Sequence, residues 1–589
     1  MSSFIQAMNN YTKKQVGENN HLEYGWSNKL EELFVQYYFQ LVRSKDMHEL
    51  ELKLDKMLIM IKDNLEKYKK YWVMLYKLVG HTRDIIDGKG EYNLTYMQIY
   101  VWYKHYPELA KDLIKLCVLS KDNEHQYGSW KDLKYMCNYL SNKMGGKMEH
   151  ELIEYCLDLY EKYIKLDWDK SENGTKVDGI SLIARWVPRE KSKQFGWIHH
   201  KLAYKMFSIY LDSANTNIQK NRAKRKCKMK LNKMITKLNR LLNTPQINMC
   251  GKEWSSINFN NVTSLTMRKN KNAFMNKDKL GKQKSNEEDR LECAKNFDNH
   301  VKASFNDETV KVHGKRCNVY ELVKDALGIK HHEKSTERDV VNQQWKSNSE
   351  NNIDGLGNII SVVDTSSSMH CDDYLPFYNA IGMGIRISEK CNPIFKNRFI
   401  TFSDEPEWVT LSDNMDFVDK VYHTANAKWG GTTDFYKTMK LILDVCVSNN
   451  IPSNEVEDMV LAVFSDMQFN NSIKSSSFML MENIKKLFID AGYPNPPHIL
   501  FWNLRKTTGF PTLSTENNVT MLSGYSATLL NIFCEKGFNE LKKMTPMVMI
   551  NELLDNNRYD ILETYLKEYM NIMDFPKLGD YYKSSLTIE

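Results

Sequence analysis

The stretch VVDTSSSMH (residues 362–370) ends an apolar, β-branched run on a carboxylate and follows it with hydroxyls. Asp364, Ser366 and Ser368 form the pattern D-x-S-x-S. Farther on, WGGTTDF presents Thr432 and Thr433 ahead of a helical pattern, and LAVFSD carries a second apolar run into Asp466. Carboxylate and hydroxyl oxygens, without His or Cys, are hard donors and suit Mg²⁺ or Mn²⁺ in octahedral geometry. Neutral hydroxyls leave such a cation short of negative charge. It would then draw a further anionic ligand, a partner's carboxylate or a phosphate. The competing structural reading has the serines capping a helix and Asp466 making a turn. Three such stretches in order, each at an element end, favour the metal.

The elements that would position these groups alternate. NIISVVD, RFITF, DMVLAVFSD, HILFWNL and VTMLSG are short apolar runs, as in strands buried on both faces. Helical patterns lie between them, in YNAIGMGIRISEK, DFYKTMKLILDVCV and SSSFMLMENIKKLFIDAG. Strands alternating with helices predict a doubly wound, parallel α/β sheet, which binds ligands at the carboxyl ends of its strands. Before this texture, residues 25–240 read as amphipathic helices. Leu30, Leu33, Phe34, Tyr37, Tyr38 and Leu41 share one helical face, as do Leu152, Tyr155, Cys156, Leu159, Tyr160, Tyr163 and Ile164. SWKD (residues 129–132) reads as a capping box, and VYELVKDALG (residues 319–328) as a helix stopped by glycine. The polar stretch KSNSENNIDGLGN marks a boundary. The expected architecture is a multi-domain α plus α/β chain, with a helical, repeat-like region over 1–350 and a Rossmann-like sheet domain over 351–589.

Charge divides the same way. Residues 1–350 hold 61 Lys+Arg against 44 Asp+Glu, and residues 351–589 hold 20 against 30. Residues 201–280 alone hold 18 against 3. Within them, Lys220, Arg222, Lys224, Arg225, Lys226, Lys228 and Lys230 would surround a helix with positive charge, which like-charge repulsion disfavours without a partner. A polyanion is the natural partner, RNA foremost. Arg185 and Arg189, flanking Trp186, would extend that surface. The plainer alternative is a solvated basic face paired with acids of the C-terminal half.

D-x-S-x-S, a later threonine and a later aspartate resemble the metal-ion-dependent adhesion site of von Willebrand factor type A domains. That resemblance implies Asp364, Ser366, Ser368, Thr432 and Asp466 as metal ligands, with Thr433 the alternative to Thr432, and an acidic protein ligand docking on the metal. RDIIDGKGE, YGSWKDL, SLIARWVPRE, MCGKEWSSINFNNVTSLTMRKNKNAF and FWNLR resemble a family of plants, fungi, protists and large DNA viruses that pairs a helical region with a type A-like domain. More distantly, the segment order is similar to the TROVE module of the Ro autoantigen, whose helical repeats close into an RNA-holding ring.

Other signals are weaker. DGKGE (residues 87–91) contains G-x-G but no Ser or Thr after Lys89, and reads as a glycine turn rather than a phosphate loop. His199–His200, His331–His332, His370 and Cys371 read as loop or helix-end residues. No hydrolase elbow or zinc motif appears. Eleven scattered cysteines without C-x-x-C, no secretory leader and no long apolar run point to a cytoplasmic protein, or a virion one if the chain is viral, with no membrane contact. The functional expectation is a non-enzymatic RNA- or ribonucleoprotein-binding protein with a Mg²⁺-dependent docking site. A protein-interaction scaffold or genome-associated virion component is the alternative. A metal-dependent phosphotransferase or nuclease is weaker, for want of a general base or second metal.

Overall fold

The computed structural model describes residues 11–120, 125–173, 179–330, 333–352, 354–402, 405–427, 434–469, 479–532 and 544–570. After a short N-terminal hairpin, β1 (Lys14–Val16) and β2 (Leu22–Tyr24), the strands are β3 (Ile359–Asp364), β4 (Arg398–Phe402), β5 (Glu407–Thr410), β6 (Val460–Ser465), β7 (His498–Asn503) and β8 (Val519–Ser523). The last six form one sheet in the order β5-β4-β3-β6-β7-β8. Every residue of β3, β6, β7 and β8 is buried, as expected when helices cover both faces. The helix Cys371–Lys390 packs on β3, β4 and β6. All pairings are parallel except β4 with β5. The sheet is therefore mixed rather than wholly parallel. The sequence reading missed β5, EWVT, because four residues at a sheet edge, two of them exposed, carry no apolar run. β5 follows β4 too closely for a crossover, so it can pair only antiparallel.

The N-terminal half is helical, as expected. Its helix Leu30–Gln40 is buried on nearly every side, not on one face, because it is enclosed by the helices His48–Asp63, Leu65–Arg83 and Pro546–Leu554 and by β8. Burial there extends to Glu32, Gln36 and Gln40, spaced four apart. Glu32 accepts from Ser514 N–H, Gln36 donates to Gly25 O, and Gln40 donates to Gly509 O while accepting from Thr507 N–H. Two members of this polar stripe, Glu32 and Gln40, thus grip backbone from the chain's C-terminal half, and Gln36 holds the N-terminal segment. The end of the chain returns the contact. Arg558 makes a two-pronged bond to Asp84 (2.6 and 2.7 Å), and Lys77 pairs with Glu563 at 2.6 Å in the interior. One apolar core runs through helices and sheet, and a smaller one gathers Phe259, Phe274, Phe297 and Val301 around the helix Glu288–Ala303.

The expected helix at 319–328 spans Val319–Leu327, capped by Asn318 with Glu321 and followed by Gly328. The SWKD box forms only in half. Asp132 accepts from Ser129 N–H (2.7 Å), but the carboxylate is held mainly by Arg83 at 2.8 and 2.7 Å and by Tyr96.

DGKGE forms a tight turn after the helix Leu65–Arg83. A Cβ on Gly88 would stand 2.1 Å from His81 O, and Gly90 has φ +69°, so both glycines are required by space or backbone. The turn aims Lys89 into the interior, where Nζ donates to Tyr38 O and Leu41 O (3.1 Å each) and to Ser523 Oγ at 2.5 Å. Lys89→Met would take a donor from each of these buried acceptors, of which Tyr38 O keeps Ser523 Oγ and Leu41 N–H. It is expected to lower unfolding free energy by about 3 kcal/mol or more, read by chemical denaturation.

Candidate functional site

β3 and β6 are adjacent and parallel at the centre of the sheet, so both deliver their last residues to one edge. The chain proceeds from β3 outward to β4 and from β6 outward to β7, which makes the crevice between them the switch point where such sheets bind ligands. Asp364 is the last residue of β3, and Asp466 follows β6 directly. Both are fully buried.

Asp364 Oδ1 accepts from Ser366 N–H at 2.9 Å, and Oδ2 accepts from Ser465 Oγ at 2.5 Å. Ser366 Oγ and Ser368 Oγ stand 3.0 Å apart. That separation suits a hydrogen bond, and it also suits neighbouring ligands of an octahedral Mg²⁺, which are about 3 Å apart when the bonds are about 2.1 Å. Thr365 is buried and Ser367 exposed, so the hydroxyls at 366 and 368 are the two that face each other. Asp364, Ser366, Ser368 and Asp466 are thus brought together. Thr432 and Thr433 lie outside the described residues. Asp434, just after them, caps the helix Phe435–Ser448 by accepting from Lys437 N–H.

Burial, and then the charge of Asp466, push the Asp364 carboxyl up to about 7, against the hydrogen bonds from Ser465 and Ser366. The one cation seen at this edge among the described residues is Arg505, just beyond β7. Its Nε donates to Asp466 Oδ2 at 3.0 Å and its Nη2 to Glu18 Oε2 at 2.6 Å. The guanidinium thus serves Asp466 and an exposed glutamate, while the bonds to Asp364 come from a hydroxyl and a backbone amide. Asp466 Oδ1 accepts from Gln468 N–H, and Gln468 binds the N-terminal hairpin turn through Glu18 N–H (2.8 Å) and Asn19 Nδ2 (2.6 Å). Among the described residues no three His, Cys, Asp or Glu side chains gather to hold a metal. A cation here would take its remaining ligands from hydroxyls, and the donor set at this edge fits that demand. Ser465, Arg505 and Glu18 were missed in sequence. Arg505, an arginine two residues past a fully buried strand, was a readable signal; Glu18 had none.

The basic segment is a single helix, Asn217–Leu241, begun by a capping box of Thr216 and Gln219. Only Ala223, Cys227, Leu231 and Leu238 are buried, a narrow stripe that seats it on the helix Gly196–Met206. Lys220, Arg222, Lys224, Arg225, Lys226 and Lys230 are exposed. Lys226 lies 3.9 Å over the Tyr210 ring, Lys228 pairs with Glu190 at 2.8 Å, and Lys237 pairs with Glu172. Among the described residues these pairings stay within the helical half, so the alternative of a face neutralised by C-terminal acids finds no support. Arg189 is exposed beside this helix. Arg185 turns away from it, donates to Thr266 Oγ1 (3.1 Å) and lines a separate cavity with Trp186. His199 is buried against Asn232, and His331–His332 lie outside the described residues.

Comparisons place two family models on the chain, both described as domains of unknown function: DUF7788 over residues 358–569 and DUF2828 over residues 150–285. An uncharacterized protein, L728, of Acanthamoeba polyphaga mimivirus is 27% identical over 495 residues, covering 81% of this chain and 78% of its own. The crystal structure of the Deinococcus radiodurans Ro (RSR) protein superposes with a TM-score of 0.36 at 11% identity, over 86% of this chain and 99% of that one.

Asp364 takes its proton near pH 7 when folded and near pH 4 when unfolded. Between these values the folded chain binds the extra proton, so without metal its stability falls as pH rises through that window. Asp364→Asn is expected to flatten this dependence and to gain about 1–3 kcal/mol at pH 8. Denaturation midpoints across pH 4–8 measure it; a slope equal to the parent's would contradict a repelling carboxylate pair.

Proposed function

We propose that the chain is a non-enzymatic RNA- or polyanion-binding protein whose sheet domain is a type A-like module with a Mg²⁺ or Mn²⁺ docking site. The observation that carries the first part is the helix Asn217–Leu241, with its narrow apolar seat and a wide basic face that meets few carboxylates. Phosphates along a strand would neutralise Lys220, Arg222, Lys224, Arg225, Lys226 and Lys230 and release counterions. Arg189 extends that face.

The second part is supported by the donor set at the sheet's switch point. Asp364, Ser366, Ser368 and Asp466, with a threonine at 432 or 433, would hold the metal. When bound, the metal would supply a Lewis-acidic point for a carboxylate of a protein ligand. The chain's own residues do the rest. Ser465 orients Asp364 by donating to Oδ2, and Arg505 occupies one oxygen of Asp466, leaving the other lone pairs of both carboxylates available. A scaffold or virion-associated role is the second reading, favoured by a mimivirus relative that spans most of both chains.

Two measurements test this. Single-stranded RNA should bind with an affinity that falls with salt by a logarithmic slope of roughly 0.7 per phosphate contacted, and the triple variant Lys224→Glu, Arg225→Glu, Lys226→Glu should lose about 100-fold at low salt. Salt-independent binding, or a triple variant that binds RNA as the parent does, would remove the nucleic-acid reading. Separately, Mg²⁺ should raise the melting temperature of the parent and leave that of Asp466→Ala unchanged. An equal rise in both would place the ion elsewhere.

A further inference from the structure

A cavity of about 920 Å³ lies between the helical half and the loop after β8. It is walled by the turn after the helix Leu65–Arg83, the start of the helix Lys131–Lys143, the short helix Ile183–Trp186, residues 260–270, residues 313–321 and residues 525–528. Eight lysines and arginines line it against a single carboxylate, Glu321. Four of the eight are accounted for by the fold. Arg83 is bonded to Asp132, Arg43 to Glu91 and Lys315 to Glu350, while Lys89 is spent on backbone carbonyls and Ser523. Glu321 is itself engaged by Arg268 at 2.8 Å.

The other four, Lys131, Arg185, Lys269 and Arg316, form no ion pair among the described residues, although Asp84 and Asp87 act on Arg316 from farther off. Arg185 and Arg316 donate only to neutral oxygens, Thr266 Oγ1 (3.1 Å) and Ile85 O (2.8 Å). Burial pushes the Lys131 ammonium down, and the charges of Arg83 and Lys269 push it the same way against the weaker pull of Asp132 and Glu321. Like charges gathered in a concave wall raise the local potential and concentrate anions there. The remaining lining is not that of a bare ion site. Tyr92 and Tyr135 stack at 5.7 Å on one side, and the amides of Asn260, Asn261 and Asn270 lie on another. Aromatic faces, amides that read base edges, and cations that take phosphate are together the chemistry of a nucleotide. The volume falls in the range of small-ligand pockets, about 300–1,000 Å³.

We propose that this cavity binds a phosphorylated nucleoside unit, with the phosphate against Lys131, Arg185, Lys269 and Arg316 and the base against the tyrosine pair and the asparagine amides. The unit is either a free nucleotide or the phosphorylated end of a single strand. Only the second source rests on the nucleic-acid reading above.

Titration calorimetry of the full chain with adenosine 5′-monophosphate tests the site. The monophosphate should bind, and adenosine should bind at least about tenfold more weakly. Lys269→Glu alters an exposed side chain. It should weaken the monophosphate by about tenfold or more at an unchanged melting temperature. The triple variant of the outer helix should bind the monophosphate as the parent does, so loss of RNA binding with the monophosphate retained would fault the outer-helix reading alone. No monophosphate binding, equal affinity for monophosphate and adenosine, or equal affinity in the parent and Lys269→Glu would each overturn the proposal. A pentanucleotide carrying a 5′-phosphate, compared with its 5′-hydroxyl form, separates the sources. Tighter binding of the phosphorylated form assigns the strand end; equal binding beside a tight monophosphate assigns the free nucleotide.

Discussion

The Lys89 side-chain nitrogen sits in the interior, where burial pushes its proton affinity well below that of an ordinary lysine. Its partners explain why it is there. Tyr38 O and Leu41 O lie at the C-terminal end of the helix Leu30–Gln40, where carbonyls lack the regular i+4 donor and carry the negative end of the helix dipole. Ser523, the third partner, ends β8 and itself donates to Tyr38 O at 2.8 Å. One side chain therefore closes the end of the most buried N-terminal helix and joins it to the outermost parallel strand of the C-terminal sheet. The glycines on either side let the chain turn tightly enough to bring it in. Around this point Glu32 and Gln40 take hold of residues 507–514, and Asn503 Nδ2 donates to Phe39 O at 3.0 Å. Helices and sheet are consequently held at fixed positions by polar bonds in a shared apolar core.

That fixed relation shapes both candidate sites. The N-terminal hairpin reaches the sheet's carboxyl edge, where Glu18 and Asn19 bind Gln468 and Glu18 takes a share of Arg505. The loop after β8 reaches the other way and closes the wall of the basic cavity with Tyr525. The sheet's carboxyl edge is thus bordered by N-terminal residues and the helical cavity by C-terminal ones. Neither site is the property of one half.

Much of the sheet was legible because buried parallel strands are continuous apolar runs, and NIISVVD, LAVFSD and HILFWN have no other reading at that length. The alternation at 364, 366 and 368 was legible for a related reason: an extended chain leaving a strand sends alternate residues to one side. β5 was not, since an exposed edge strand has no apolar signature. Arg185 and Arg189 read as one surface because they are four apart, yet the helix Ile183–Trp186 ends between them and separates the two side chains. Lys89 and Asp132 looked like turn and cap. Their partners, Ser523 and Arg83, lie 434 and 49 residues away, and no local pattern carries such information.

The pairing habits of this chain give its unpaired charges their meaning. Four buried or half-buried arginines meet a carboxylate fork, Arg83 with Asp132, Arg268 with Asp325, Arg338 with Asp416 and Arg558 with Asp84, while Arg290 and Arg386 are met by neutral oxygens and a tryptophan face. Such pairs are expensive to desolvate and weak as a source of net stability, but breaking one is costly, so they fix geometry. With 81 basic and 74 acidic side chains, acids are not scarce. A shortage therefore does not explain why many cations on the outer helix and in the cavity wall lack them, or why Asp364 is met by a hydroxyl and an amide rather than a guanidinium. Repulsion within each group opposes folding and is relieved by an ion of opposite sign. The distribution separates the two demands in space: anions at the helical surfaces, a cation at the sheet edge. A phosphate strand and a divalent metal could then occupy the same molecule without competing for the same groups.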